Sequence, residues 1–192
     1  PQNASIPAAD SRRKVLAQLS GRRIVEMVKE DQKLSDILTK KAFENAIKVN
    51  AAIGGSTNFV IHLLAIAGRI GVPLEIKDFD HFSASIPLLA NLQPSGKFFM
   101  EDFYYAGGVP ALLKELDSFL NTEVITANGK TIQENYQNAI CYNREVIASV
   151  EKPFNHATAL AVLHGNICEN GAVIKPTAAS PHLLQHSGKA VV

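Results

Sequence analysis

The sequence predicts an α/β fold, in which a helix-rich α/β domain is followed by the opening strands of a β-rich domain. Up to about Cys141, apolar residues recur at helical spacing and are interrupted by capping and glycine signals. Beyond that point, short aliphatic runs are separated by turn residues, which is typical of strands. With 192 residues and 46% hydrophobic content, the chain can bury one good core or two small ones.

The helical part begins with clear local signals. Thr39 is predicted to cap the second helix, and Asp78 to cap the fourth. Thr131 and Glu134 fit a capping box, which starts the last helix. The third helix is apolar nearly all round, so we expect it to be central and buried. The predicted helices span residues 10–31, 39–52, 57–68, 78–86, 101–106 and 111–120, and a last one begins at 131.

Extended segments are predicted at 88–92 and 124–126, with a turn at 94–96 between the first of these and the next helix. Four later strands are expected at 146–150, 159–163, 172–175 and 190–192. The pattern changes between residues 142 and 154, near Pro153. We therefore predict two domains, covering 1–145 and 146–192.

Charge and composition narrow the class of partner. A net charge of +1 argues against a dedicated nucleic-acid surface, and the basic pairs at 12–13 and 22–23 are followed by acidic residues, as on a solvated helix face. Residues 1–10 do not resemble a signal peptide, and the apolar run 59–67 is far shorter than the roughly 20 residues of a membrane span. We expect a cytoplasmic protein that binds neither nucleic acid nor membrane.

The segment at residues 50–67 is the most informative part of the chain. Gly54 and Gly55 permit backbone conformations closed to other residues, and Ser56, Thr57 or Asn58 can cap the helix that follows. Backbone N–H groups at such a helix start can bind a carboxylate or a phosphate. The alternative is a glycine turn that only lets two helices pack closely, and both interpretations stay open.

Six ordered segments resemble motifs of the dihydroxy-acid dehydratase and phosphogluconate dehydratase family, and together they cover nearly the whole chain. They include Gly-Gly-Ser-Thr-Asn, a Pro-Ser-Gly loop and a Met-Glu-Asp…Ala-Gly-Gly segment. In order, they lie at residues 54–58, 78–80, 91–97, 100–110, 128–131 and 171–176. Within the family, residues 103–105, 142–147 and 175–182 resemble the aldonic (sugar) acid dehydratases, such as those acting on arabinonate or xylonate.

The resemblance implies an α/β domain followed by a β-barrel-like domain, and a hydro-lyase that converts an aldonate into a 2-keto-3-deoxy acid. It also implies an iron–sulfur cluster, Mg²⁺ and a homo-oligomer. Family members are roughly three times longer, and both ends of this chain look cut, so we expect an internal fragment. Alternatives are a branched-chain dihydroxy-acid dehydratase and a non-catalytic domain that keeps the fold.

The family's cluster cysteines and its catalytic serine motif have no counterpart in this sequence, because no cysteine precedes Cys141. We therefore assign no catalytic residue and no metal ligand, and expect no cofactor in this fragment. The candidates that remain are polar groups on glycine- or proline-shaped turns, which can contact a small-molecule sugar acid. The predicted substrate-binding residues are Ser56, Thr57, Asn58, Ser95 and Lys97.

Other polar residues have simpler interpretations. Cys141 and Cys168 are expected to be free, buried thiols, with a disulfide or metal site as the alternative. The pair His182 and His186 has helical i,i+4 spacing that could bind zinc, although a polar surface pair explains it as well. His62 is expected to be a core or domain-interface histidine rather than a catalytic base. Residues 101–102 could supply carboxylates, or simply favour a helix dipole.

Overall fold

The structure, a computed structural model of the chain, describes residues 5–189. Eight α-helices and one two-stranded sheet lie in this part, together with three short 3₁₀ turns. The helices are α1 (Arg12–Lys29), α2 (Leu34–Ile37), α3 (Lys40–Ile53), α4 (Asn58–Arg69), α5 (Ile76–Ser83), α6 (Met100–Tyr105), α7 (Gly108–Glu115) and α8 (Ile132–Tyr136). The strands are β1 (Ala161–Gly165) and β2 (Cys168–Ile174). This confirms the predicted helix-rich fold with strands towards the carboxyl end.

Two helix starts form as the local signals predict. The Thr39 hydroxyl accepts a hydrogen bond from the Ala42 N–H at 3.3 Å, which caps α3. The Glu134 carboxylate accepts a bond from the Thr131 N–H at 2.8 Å, while the Thr131 hydroxyl accepts one from the Glu134 N–H. This reciprocal pair is the predicted capping box, and it starts α8.

The cap predicted for α5 is wrong. The helix begins at Ile76, two residues before Asp78, so Asp78 lies inside the first turn. There its carboxylate accepts a hydrogen bond from the Glu75 N–H at 2.8 Å. An acidic residue serves either position, because both place a carboxylate near the exposed N–H groups of the helix start.

The main core is built by α3, α6 and α7 around the extended segment 86–92. Leu89 and Leu112 are fully buried, and so are Ala52 and Phe103. Main-chain hydrogen bonds tie the segment to α3, because the Ala52 carbonyl accepts from the Leu89 N–H at 2.8 Å. A second cluster joins Ile47, Val60 and Phe79 from α3, α4 and α5. Helix α3 therefore contributes to both hydrophobic clusters, which fixes the position of the turn that follows it.

Helix α4 is not buried as predicted. Only Val60 and Ala67 of this helix are buried, whereas Ile61 is 63% exposed and Ile66 is 45% exposed. His62 also lies on the exposed face, so it is not a core histidine, and its place at a domain interface stays a prediction. Apolar composition predicted burial, but within residues 5–189 only one side of α4 meets a partner.

The strand predictions are confirmed only in part. β1 and β2 pair antiparallel, with Val162 opposite Val173. Residues 146–150 form no strand and contribute one bridge, between Ile147 and Ala90. Residues 124–126 likewise form one bridge, between Ile125 and Thr131. The segment 190–192 lies outside the described residues.

The division into 1–145 and 146–192 stays a prediction. The hydrophobic core runs across it, since Val146, Ile147 and Ala148 are buried in the main cluster. The Ala148 N–H donates to the Leu89 carbonyl at 2.8 Å, so this segment is bonded to the helical part. No helix among the described residues is long and apolar enough to cross a membrane.

Candidate functional site

Three separate parts of the chain surround a cleft of about 610 Å³. The first is the turn between α3 and α4, and the second is the loop that enters α6. The third is the segment that follows β2, which contributes Lys175 and Ala178. The cleft is lined by Ile53, Gly54, Gly55, Ser56, Thr57, Leu92, Gln93, Pro94, Met100, Lys175 and Ala178.

The first wall depends on its two glycines. Gly54 ends α3 in the left-handed region, at φ 64°, which side chains with a Cβ rarely adopt. A Cβ on Gly55 would lie 1.9 Å from the Asn50 Oδ1, which is far inside contact distance. The backbone therefore folds closely over α3 at this point, and the next three residues project away from the core.

Ser56, Thr57 and Asn58 are all exposed, but they differ in their contacts. The Ser56 hydroxyl accepts a hydrogen bond from the Asn58 N–H at 3.1 Å, at the start of α4. Thr57 occupies the N-cap position, yet its side chain makes no capping hydrogen bond. Ser56 and Thr57 line the cleft and Asn58 does not. The Thr57 hydroxyl is thus the one that capping does not explain.

The second wall of the cleft is the loop that enters α6, and the candidates Ser95 and Lys97 of this loop do not line the cleft. Gln93 and Pro94 line it and are joined by a cis peptide bond. Ser95 instead lines a second cleft of about 250 Å³ on the same loop, where the buried Thr177 hydroxyl has no hydrogen-bond partner among the described residues. Lys97 lines neither cleft, and its ammonium lies 5.2 Å from the centre of the Phe98 ring.

Lys175 is a cleft residue that the sequence reasoning did not select. It follows β2 directly, and its Nζ donates a hydrogen bond to the Gly54 carbonyl oxygen at 2.5 Å. Partial burial lowers the pKa of the Lys175 ammonium, because desolvation disfavours the charged form. Lys175 belongs to the motif at 171–176, and this membership was the one feature of the sequence that could have pointed to it as a site residue. Its proximity to residue 54 arises only through the fold.

The cysteines do not form a metal site in the described part of the chain. Cys141 is partly buried, and its thiol donates to the Ile147 carbonyl at 3.5 Å. Cys168 is free as predicted but exposed rather than buried, since it starts β2 next to a tight turn. Among residues 5–189, no three His, Cys, Asp or Glu side chains lie together as a metal site would require. These residues therefore do not fit an iron–sulfur cluster, whose irons bind cysteine thiolates of the protein.

The other polar candidates have structural explanations. The Asp102 carboxylate accepts a hydrogen bond from the Phe99 N–H at 2.8 Å, at the start of α6, which favours the helix-start interpretation. His182 lies in a 3₁₀ turn, Pro181–Leu183, and His186 lies beyond it. The α-helix that would place both imidazoles on one face does not form, so the i,i+4 zinc pair has no structural basis.

Comparison with known proteins identifies two family regions in the chain. Residues 1–135 match the family model described as dihydroxy-acid/6-phosphogluconate dehydratase N-terminal. Residues 145–192 match the corresponding C-terminal model. Together, the two matches cover most of the chain in the order that the sequence motifs predict.

The chain is also similar to curated dehydratases. It is 54% identical to L-arabinonate dehydratase of Rhizobium leguminosarum bv. trifolii over 99% of its length, and 54% identical to L-arabonate dehydratase of Azospirillum brasilense over 100%. It is 44% identical to dihydroxy-acid dehydratase of Acetivibrio thermocellus, again over 100%. The chain spans 33% of the length of the first two relatives and 35% of the third. The chain belongs to the dihydroxy-acid/6-phosphogluconate dehydratase family.

Proposed function

We propose that this chain is part of a hydro-lyase that removes water from an aldonate and yields a 2-keto-3-deoxy acid. The identity to two arabinonate dehydratases, 54%, exceeds that to the dihydroxy-acid dehydratase, 44%. The observation that carries the proposal is the cleft, in which two family motifs meet: the turn at 54–57 and the loop at 93–94. A concave, largely apolar surface that offers a few polar groups, as Ser56, Thr57 and Gln93 do here, can hold a polyol acid in one orientation.

The described residues support substrate positioning rather than bond breaking. The exposed hydroxyls of Ser56 and Thr57 face a cleft large enough for a five-carbon acid, and each can donate or accept a hydrogen bond. Held between the two turns, a sugar acid would lose rotational freedom before reaction, which lowers the entropic part of the barrier. We assign Asn58, Ser95 and Lys97 to the surroundings of this site.

We assign the iron–sulfur cluster and Mg²⁺ to the full-length protein, because the described residues do not fit a cluster. We also propose that the full-length protein is a homo-oligomer and that it is cytoplasmic. We place the boundary between its two domains at residues 145/146. Exposed apolar side chains on α1 and α4, such as Val28 and Ile61, support further association. We expect no nucleic-acid or membrane partner.

The competing enzyme function is that of a branched-chain dihydroxy-acid dehydratase, which the 44% identity supports. Steady-state kinetics of the full-length protein on L-arabinonate and on a branched-chain 2,3-dihydroxy acid would separate the two. We expect a kcat/KM at least about a hundredfold higher for the sugar acid, because a site that hydrogen-bonds substrate hydroxyls rejects analogues that lack them. A preference for the branched-chain acid would refute the proposal. Absence of turnover on both substrates would favour the non-catalytic domain.

A further inference from the structure

The second cleft, of about 250 Å³, lies beside the larger one and is built from the same two parts of the chain. The loop that enters α6 lines the larger cleft with Gln93 and Pro94 and the second cleft with Ser95. The segment after β2 lines the larger cleft with Ala178 and the second with Thr177. Adjacent residues of both segments thus face the two clefts, which are neighbours.

Thr177 places a buried hydroxyl at the wall of the second cleft. Its Oγ1 is inaccessible to solvent and has no hydrogen-bond partner among the described residues. An unpaired buried hydroxyl costs about 1–3 kcal/mol, and buried polar groups in folded proteins are normally paired. A group that enters the cleft and bonds to Thr177 would remove this cost.

The other polar groups of the second cleft are partly used by the chain itself. The Asn91 amide oxygen accepts a hydrogen bond from the Lys97 N–H at 3.0 Å, which holds the loop in place. The Asn155 amide oxygen accepts from the Ala157 N–H at 2.8 Å, and this is the one hydrogen bond of the Asn155 side chain within residues 5–189. The Asn155 NH₂ group and the exposed Ser95 hydroxyl are therefore available to a ligand.

These groups fit the neutral hydroxyls of a polyol. A hydroxyl donates and accepts, and the cleft offers an amide donor on Asn155 and hydroxyls of both kinds on Ser95 and Thr177. Leu88 and Phe154 add apolar surface for carbon atoms, and no charged side chain of the described residues lines the cleft to bind a carboxylate or phosphate. The volume is below the roughly 300–1,000 Å³ of pockets that enclose a whole drug-sized ligand, so it suits one end of a small molecule.

We propose that the second cleft binds the C4 and C5 hydroxyls of a five-carbon aldonate, and that the Thr177 hydroxyl is the group that recognises them. This inference rests on the proposed function and specifies which end of the substrate decides its class. An aldonate and a branched-chain 2,3-dihydroxy acid share the carboxylate and the hydroxyls at C2 and C3. They differ in the rest of the molecule, where the aldonate carries hydroxyls and the branched-chain acid carries only alkyl groups. An acid without the far hydroxyls leaves Thr177 unpaired, so this subsite rejects it.

The test compares L-arabinonate with its 4,5-dideoxy analogue, which keeps the carboxylate and the hydroxyls at C2 and C3. Steady-state kinetics of the full-length protein give kcat/KM for both acids, and isothermal titration calorimetry gives both dissociation constants if neither acid is turned over. For Thr177→Val, we expect the value for L-arabinonate to worsen roughly three- to tenfold and the value for the analogue to stay the same. Thr177→Ser keeps the hydroxyl and should restore most of the preference.

Two results would overturn the proposal. Equal losses on both acids would make Thr177 a structural residue, and no loss on either acid would show that the cleft holds only water. Thr177→Val should fold normally, because it replaces an unpaired hydroxyl by a methyl group of the same shape. The melting temperature of the ligand-free variant should therefore stay the same or rise.

Thr126→Val is the matched control. The partly buried Thr126 hydroxyl donates to the Lys130 carbonyl at 2.9 Å, and the residue lines neither of the two clefts. This variant should lower the melting temperature, because it loses a hydrogen bond that is made, and it should keep the wild-type preference between the two acids.

Failures of the two proposals are distinguishable. A wild-type protein that binds L-arabinonate more tightly than the analogue but turns over neither acid would refute only the proposed function. Turnover of L-arabinonate, together with a wild-type preference in Thr177→Val, would refute only this inference. A wild-type protein that does not distinguish the two acids, or binds neither, would also refute this inference.

Discussion

Replacing Thr57 by valine tests whether the turn between α3 and α4 contacts substrate. The change keeps the β-branched shape and removes only the hydroxyl. Because the Thr57 side chain makes no capping hydrogen bond and Ser56 bonds to the Asn58 N–H instead, stability should change little. A lost hydrogen bond to a charged ligand is worth about 1.5–3 kcal/mol, so kcat/KM for the sugar acid should fall about tenfold or more.

The assay combines steady-state kinetics of the full-length protein with a thermal melt. The control is Thr39→Val, which removes a real cap, the bond from the Ala42 N–H at 3.3 Å. That variant should lose about 1 kcal/mol of stability and keep its kinetics. If Thr57→Val retains wild-type kcat/KM, the hydroxyl does not contact substrate. A lowered melting temperature with unchanged kinetics would show that the turn is purely structural, the alternative that the sequence left open.

Three further predictions concern the elements around the site. Gly55→Ala should destabilise by about 1–3 kcal/mol in a urea titration, because the new Cβ would lie 1.9 Å from the Asn50 Oδ1 and the buried Asn50 side chain must move. Gly21→Ala, on an open helix face, should stabilise by about 0.5–1 kcal/mol in the same titration. Hydrogen bonds from Thr131 lower the pKa of Glu134, so its contribution to stability exists above the usual pKa of 4.5 and is lost as pH falls through the lowered value. Glu134→Gln should therefore flatten the acid side of a melting-temperature profile, and an unchanged profile would contradict this. Tyr136→Phe removes a buried hydroxyl that donates to an exposed carboxylate at 2.7 Å, and it should cost about 1.5 kcal/mol in denaturant unfolding, whereas no measurable loss would show that the bond is neutral.

The features that could be predicted from the sequence depend on residues close together in the chain. Thr39 caps α3, and the Thr131–Glu134 pair starts α8, because these bonds span three residues and need no tertiary partner. The glycine turn after α3 was predictable for the same reason. Among the candidate site residues, Ser56 and Thr57 line the cleft, and the sequence could select them because they follow that turn directly.

Only the tertiary structure decided which polar groups share a cleft. Lys175 bonds to Gly54 across 121 positions, a distance at which local pattern carries no information about contact. Lys97 belongs to a motif that pointed to the site, but the fold leaves its ammonium outside the cleft, 5.2 Å from the centre of the neighbouring Phe98 ring. Burial was also decided by the fold, since Ile61 is apolar and yet exposed. The periodicity of apolar residues in the sequence predicts which side chains share one face of a helix. Whether that face is buried, and what it contacts, depends on the segments that the rest of the chain packs against it.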